Sequence, residues 1–235
     1  MENIGKEYLD NSFIVIGHSG YGKSTICKAI TGNQNIIISS SHKGCTSKVS
    51  YYPGKFKGCF SNTYFTMIDT PGLDDSEGRD KEFLGELKNM LQKKDLKIKK
   101  IFIVFNFTMK RFGISEKTII KKIIDLIPIK DLWKYISIMV TNYFYSKPEK
   151  LKKKRQEFIK DLEDVFYQDF FSYGLEKYGI FGNFEDMNIV FVNFDDENPT
   201  LKKGKDIQEI IENSLNKEPL FKKCKEIIEN NVSVI

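Results

Sequence analysis

Residues Gly17 to Thr25 read Gly-His-Ser-Gly-Tyr-Gly-Lys-Ser-Thr and fit the spacing G-x-x-x-x-G-K-[ST], a pattern able to grip a chain of phosphates. The reason is local. Glycines let the backbone wrap tightly, so successive N–H groups turn inward and form an anion nest. A helix starting at the end of the loop adds the positive end of its dipole. In this frame Ser19, Gly20, Tyr21, Gly22, Lys23, Ser24 and Thr25 are the candidate phosphate contacts. Lys23 supplies a point charge for the outer phosphates, and the Ser24 hydroxyl is placed to ligate Mg²⁺. His18 is read as a bystander beside the phosphates rather than a catalytic group.

A second cluster, Asp69-Thr70-Pro71-Gly72, follows directly on the apolar run Thr63–Ile68. A carboxylate at a strand end facing the loop can hold Mg²⁺ through water, and Gly72 can offer its N–H to a γ-phosphate. Between the two clusters stands Gly44-Cys45-Thr46-Ser47. A threonine here can complete the Mg²⁺ shell and swing away when the γ-phosphate is lost. Thr46 is the choice and Ser47 its rival. Lys23, Thr46 and Gly72 are therefore the candidate catalytic groups, and Ser24, Thr46 and Asp69 the candidate metal ligands.

These residues need strands and helices to hold them. Phe13–Ile16 is a continuous apolar run, the mark of a strand buried on both faces. Ser24–Ile30 opens a helix at once, closed by Gly32. Lys48–Phe56 and Thr63–Ile68 alternate around a turn and read as an antiparallel hairpin at a sheet edge, where Pro53 is tolerated. Ile101–Phe105, Ile136–Val140 and Ile189–Val192 are further strands. Helical spacing marks Asp80–Lys94, Ser115–Ile127 with Ser115-Glu116-Lys117 as its capping start, Pro148–Phe171, and two short pieces within Leu201–Asn230. The alternation predicts a three-layer α/β fold with a mostly parallel sheet and one antiparallel edge strand. Residues 1–200 form the nucleotide-binding domain and residues 201–235 a helical extension.

Composition sets the outer limits. The chain has 235 residues, 40 % hydrophobic and 29 % charged, with net charge +5, enough for one large domain with a full core. No arginine-rich, aromatic-interleaved basic face appears, so nucleic acid is not an expected partner. The Lys152–Arg155 block reads as a solvated helix face, and attraction to an anionic membrane surface stays open. Cys27, Cys45, Cys59 and Cys224 lack metal-ligand spacing, and Met1–Ser12 carries no secretory signal. A reduced cytoplasmic setting, peripheral to membranes at most, is expected.

The loop, Thr46 and Asp69-Thr70-Pro71-Gly72 together resemble the first three motifs of a small GTPase. Leu73, the hairpin and the long helix before the last strand narrow this resemblance to the immunity-associated and avirulence-induced (GIMAP-type) GTPases, relatives of septins and the chloroplast-import receptor GTPases. It covers roughly Asn11 to Thr200. It implies GTP and GDP with Mg²⁺ as ligands, slow GTP hydrolysis, and homodimers or longer nucleotide-dependent assemblies that act at membranes. GTPases usually read guanine with an Asn/Thr-Lys-x-Asp motif after the fifth strand; these relatives often use a variant in which an acidic residue normally remains. The matching stretch here, Val140-Thr141-Asn142-Tyr143-Phe144-Tyr145, has no carboxylate before Glu149. Loss of a charged acceptor weakens guanine selection by roughly 1.5–3 kcal/mol unless replaced. Asn142 is the expected base contact, with Tyr143 or Phe144 stacking, and the resemblance carries Asn193 over as a second base contact with Phe194 beside the ring. Leu73 occupies the place where many small GTPases carry a water-orienting glutamine. Asp74, Asp75, Ser76 or a partner residue are the substitutes, and Arg79 and Arg111 qualify as arginine fingers by type alone. Leu73 also favours a rival reading, a nucleotide-dependent scaffold without turnover; a small-molecule kinase is a further rival.

Overall fold

The computed structural model describes residues 5–38, 48–57, 62–72, 85–90, 96–108, 112–142, 148–192 and 214. Among these, six strands form one sheet: β1 (Ser12–Gly17), β2 (Ser50–Lys57), β3 (Asn62–Asp69), β4 (Ile98–Asn106), β5 (Ile136–Thr141) and β6 (Asn188–Phe191). The strand order is β2-β3-β1-β4-β5-β6. Only β2 runs antiparallel to its neighbour, with Pro53 opposite Thr66. Every other pairing is parallel. The expected α/β architecture with one antiparallel edge strand is the observed one.

Three layers follow from which way alternate side chains point. Phe13 and Val15 of β1, with Phe102 and Val104 of β4, pack on Ile26 and Cys27 of the Lys23–Thr31 helix. Their neighbours Ile14, Ile16, Ile101, Ile103 and Phe105 face the opposite way. They meet Ile119, Ile120, Ile123 and Ile124 of the Ile114–Leu126 helix. A strand covered on both faces has no polar side to show, which is why β1 reads as an unbroken apolar run. Burying each of its four large side chains contributes about 1.5–3 kcal/mol.

The elements depart from the sequence reading in two places. The Ile114–Leu126 helix starts one residue before the expected Ser115, with Gly113 at its N-cap. Within the expected capping run Ser115-Glu116-Lys117, it is the Glu116 carboxylate that accepts the Gly113 N–H, at 2.8 Å. The long helix Pro148–Val165 does not stop at Phe171. It passes through a π-helical turn, Phe166–Phe171, and continues as Ser172–Tyr178. The extra residue per turn brings Phe166, Phe170 and Phe171 inward together, where Phe166 and Phe171 pack edge-on against Trp133 at centroid distances of 5.9 and 4.8 Å. The helix ends at Gly179, left-handed at φ 66.

Lys152 to Arg155 are exposed, as expected of a solvated face, and the Arg155 guanidinium sits 4.4 Å over the Phe191 ring. Of Asp80–Lys94, residues 85–90 are described and are helical, with Leu87 and Met90 buried. Leu201–Asn230 lies outside the described residues except Ser214, which is helical and buried. Among the described residues no helix is long and apolar enough to cross a membrane.

Candidate functional site

The site forms where β1 ends. Gly20 and Gly22 adopt φ values of 78° and 87°, a left-handed backbone that only glycine enters without strain. A Cβ on Gly20 would meet nothing within 4 Å, so conformation rather than space demands glycine there. Gly22 caps the Lys23–Thr31 helix, which opens immediately and closes at Gly32 with φ 69. Ser19 and Gly20 are exposed on the loop's outer side, while Tyr21, Ser24 and Thr25 are half-buried.

Lys23 is 6 % exposed. Its Nζ donates to the His18 carbonyl at 2.8 Å, across the loop it terminates. Burial lowers its pKa to about 8, opposed by the nearby Asp69 carboxylate.

β3 delivers the second motif. In register, Val15 of β1 lies beside Asp69, the last residue of β3, and Asp69 is fully buried. Ser24 Oγ donates to Asp69 Oδ2 at 2.6 Å. The Thr70 hydroxyl ties the chain back to the Val15 carbonyl at 2.7 Å. Gly72 then lies against the loop so closely that a Cβ would stand 2.6 Å from the Ser19 backbone nitrogen. The two motifs, 45 residues apart between Ser24 and Asp69, meet at the end of β1. A hydroxyl and a carboxylate converging at a helix start are hard oxygen donors suited to Mg²⁺. Among the described residues no group of three or more His, Cys, Asp or Glu comes together for a metal.

β5 closes the third side. Thr141 Oγ1 donates to the Tyr21 carbonyl at 2.7 Å and lies 3.2 Å from the Phe105 carbonyl. Asn142 follows at once with φ 55, the only described non-glycine residue at positive φ. Asparagine tolerates that conformation better than most residues. Sequence reasoning missed Thr141 and Glu116 as members of the site. Thr141 had a signal in its position at the strand end directly before Asn142. Glu116 had none, because an acid at the third helical position reads as a cap and nothing more.

His18 stands 3.4 Å by its Nε2 from Glu116 Oε1, with its ring 5.1 Å from that of Tyr21. Thr46, Ser47, Leu73 to Ser76, Arg79, Arg111, Tyr143, Phe144, Asn193 and Phe194 lie outside the described residues, as does the Glu149 side chain.

The chain is similar to known proteins. The "Probable GTP-binding protein EngB" of Ehrlichia canis is 26 % identical over 129 residues, 55 % of this chain and 52 % of the relative. GTPase Der of Buchnera aphidicola is 31 % identical over 86 residues, 35 % of this chain and 18 % of the relative. The chain thus spans about half or less of the curated relatives it matches. Among solved structures, a dimerization-deficient mutant of Toc33 from Arabidopsis thaliana superposes with a TM-score of 0.61 at 18 % identity, covering 90 % of this chain and 87 % of that one. Toc33 in complex with GDP and Mg²⁺ gives 0.58 at 18 % identity, over 89 % and 87 %. At that identity the likeness speaks for the fold. Residues 12–142, more than half of the chain, match the family described as 50S ribosome-binding GTPase, and the chain belongs to that family of GTPases.

Proposed function

We propose that the chain is a guanine-nucleotide switch that binds GTP and GDP with Mg²⁺ and hydrolyses GTP slowly on its own. The observation that carries this reading is the convergence of Lys23, Ser24 and Asp69 at the mouth of the loop, with Gly72 against Ser19. Ser24 is proposed as the direct Mg²⁺ ligand, with Asp69 acting through water and Thr46 joining when γ-phosphate is present. The ion, when bound, offsets charge that develops between the β- and γ-phosphates. The loop N–H groups from Ser19 to Thr25 and the Lys23 ammonium hold the phosphates. Gly72 donates its N–H to the γ-phosphate, and Asn142, Asn193 and Phe194 receive the base. Thr46 and Gly72 both depend on the γ-phosphate, so its loss releases the segments that follow them.

The finer grouping with GIMAP-type GTPases rests on the motif resemblance, and the Toc33-like fold supports that branch. One similar structure describes dimerization as important for the GTPase activity of two chloroplast translocon components, which supports assembly through the nucleotide face here. We place the protein in the cytoplasm, peripheral to membranes at most, with residues 201–235 as a helical extension and no nucleic-acid partner. A scaffold without turnover is the second reading, favoured by Leu73 at the water-orienting position. Single-turnover GTP hydrolysis over a range of protein concentrations separates the two. A rate that climbs with concentration supports a switch completed by its partner; a background rate at every concentration leaves the scaffold.

A further inference from the structure

The phosphate loop is braced from outside by a residue far along the chain. The Tyr21 hydroxyl donates to Glu116 Oε1 at 2.8 Å across 95 residues of sequence. His18 Nε2 stands 3.4 Å from the same oxygen. The other carboxylate oxygen, Oε2, accepts the Gly113 N–H at 2.8 Å. Glu116 is 9 % exposed. One carboxylate therefore joins two of the variable loop positions, His18 and Tyr21, to the start of the Ile114–Leu126 helix. Tyr21 is also the residue whose carbonyl receives Thr141, directly before Asn142. It is a junction between the phosphate loop, the strand end beside the base position, and a helix on the other layer.

We propose that Glu116 is a positioning residue for the phosphate loop, acting through the Tyr21 hydroxyl to hold the loop in the shape that accepts a nucleoside diphosphate or triphosphate. This rests on the nucleotide-binding reading above and deepens it. A loop with two left-handed glycines is pliable. Each hydrogen bond that fixes it before binding removes ordering that the nucleotide otherwise has to supply. Tyr21 thus contributes through its backbone at the phosphates and through its phenol away from them.

The test uses the full chain, with GDP and Mg²⁺ as the probe, and two readouts: GDP affinity by calorimetry, and amide hydrogen exchange of residues 17–24 in nucleotide-free protein. Tyr21→Phe removes one oxygen and leaves the Gly113–Glu116 cap intact, so it separates loop positioning from helix capping. We expect Tyr21→Phe and Glu116→Ala each to weaken GDP binding about fivefold or more and to speed loop exchange by a similar factor. The double variant matches Glu116→Ala within about twofold, because the pair acts as one unit. In Glu116→Gln the single amide oxygen can keep the Gly113 N–H while the amide NH2 donates to the Tyr21 hydroxyl, which also accepts, so the link to the loop survives and most of the affinity is recovered. Wild-type affinity and exchange in Tyr21→Phe overturn the proposal, as do single effects that multiply in the double variant. If wild-type protein binds no GDP, the nucleotide reading fails, and the exchange readout still decides whether the tether exists.

Discussion

Ser24 Oγ and Asp69 Oδ2 lie 2.6 Å apart at the junction of two motifs that the chain keeps 45 residues from each other. A parallel register makes this possible: β3 runs beside β1 with Asp69 opposite Val15, so both motifs leave the sheet at the same edge. A hydrogen bond to a buried carboxylate contributes about 1.5–3 kcal/mol. Ser24→Ala is therefore expected to lower stability by that order, and also to make GDP affinity insensitive to removal of Mg²⁺. Calorimetric titration with and without a chelator checks this; a variant that keeps the wild-type Mg²⁺ dependence removes Ser24 from the metal.

Gly72 faces Ser19 with no room for a methyl group, a Cβ there being 2.6 Å from the Ser19 nitrogen. Gly72→Ala forces either the strand end or the loop to move, at a cost of about 1–3 kcal/mol. The non-hydrolysable analogue GMPPNP is expected to lose more affinity than GDP, because the contact proposed for Gly72 is to the γ-phosphate. Equal losses for both ligands would make the residue purely a spacer.

Lys23 sets a pH dependence whose sign is fixed by burial. Desolvation lowers its pKa from 10.5 to about 8. Below about pH 8 the folded chain carries a buried ammonium at a cost; between about 8 and 10.5 the unfolded chain binds the extra proton, so this residue's contribution to stability rises with pH there. Binding runs the other way, because polyphosphate requires the charged form. GDP affinity is expected to fall as pH rises through about 8, with proton uptake seen as buffer-dependent heat. Affinity that stays flat across that range contradicts the assignment.

Phe166 is fully buried in the π-helical turn and packs on Trp133. Phe166→Ala is expected to cost about 3–5 kcal/mol of stability and leave the pH profile of GDP binding unchanged. Chemical denaturation gives the first quantity; a cost under 1 kcal/mol would show that the turn does not organise this part of the core.

The parts of the fold written in short-range pattern were readable in advance. β1 is an unbroken apolar run because both faces are covered, and β2 tolerates Pro53 because it lies at the sheet edge. The phosphate loop announced itself because glycine spacing and strand-loop-helix order coincide in nine residues, Gly17 to Thr25. What escaped was long-range or out of period. The π-helical turn shifts the helical repeat at Phe166–Phe171, so a fixed 3.6-residue pattern ends there too soon. Glu116 meets Tyr21 only through the three-dimensional path of two layers, and no spacing in the sequence records that meeting.

The account turns on whether the wrapped end of β1 holds guanosine phosphates beside Mg²⁺. Calorimetric titration of GDP with Mg²⁺ into the wild-type chain and into Lys23→Ala, repeated with ADP, tests it most directly. The expected result is heat of binding for GDP, a weaker response to ADP, and loss of both in Lys23→Ala. Undiminished GDP affinity in Lys23→Ala, or no binding by the wild-type chain, would contradict it.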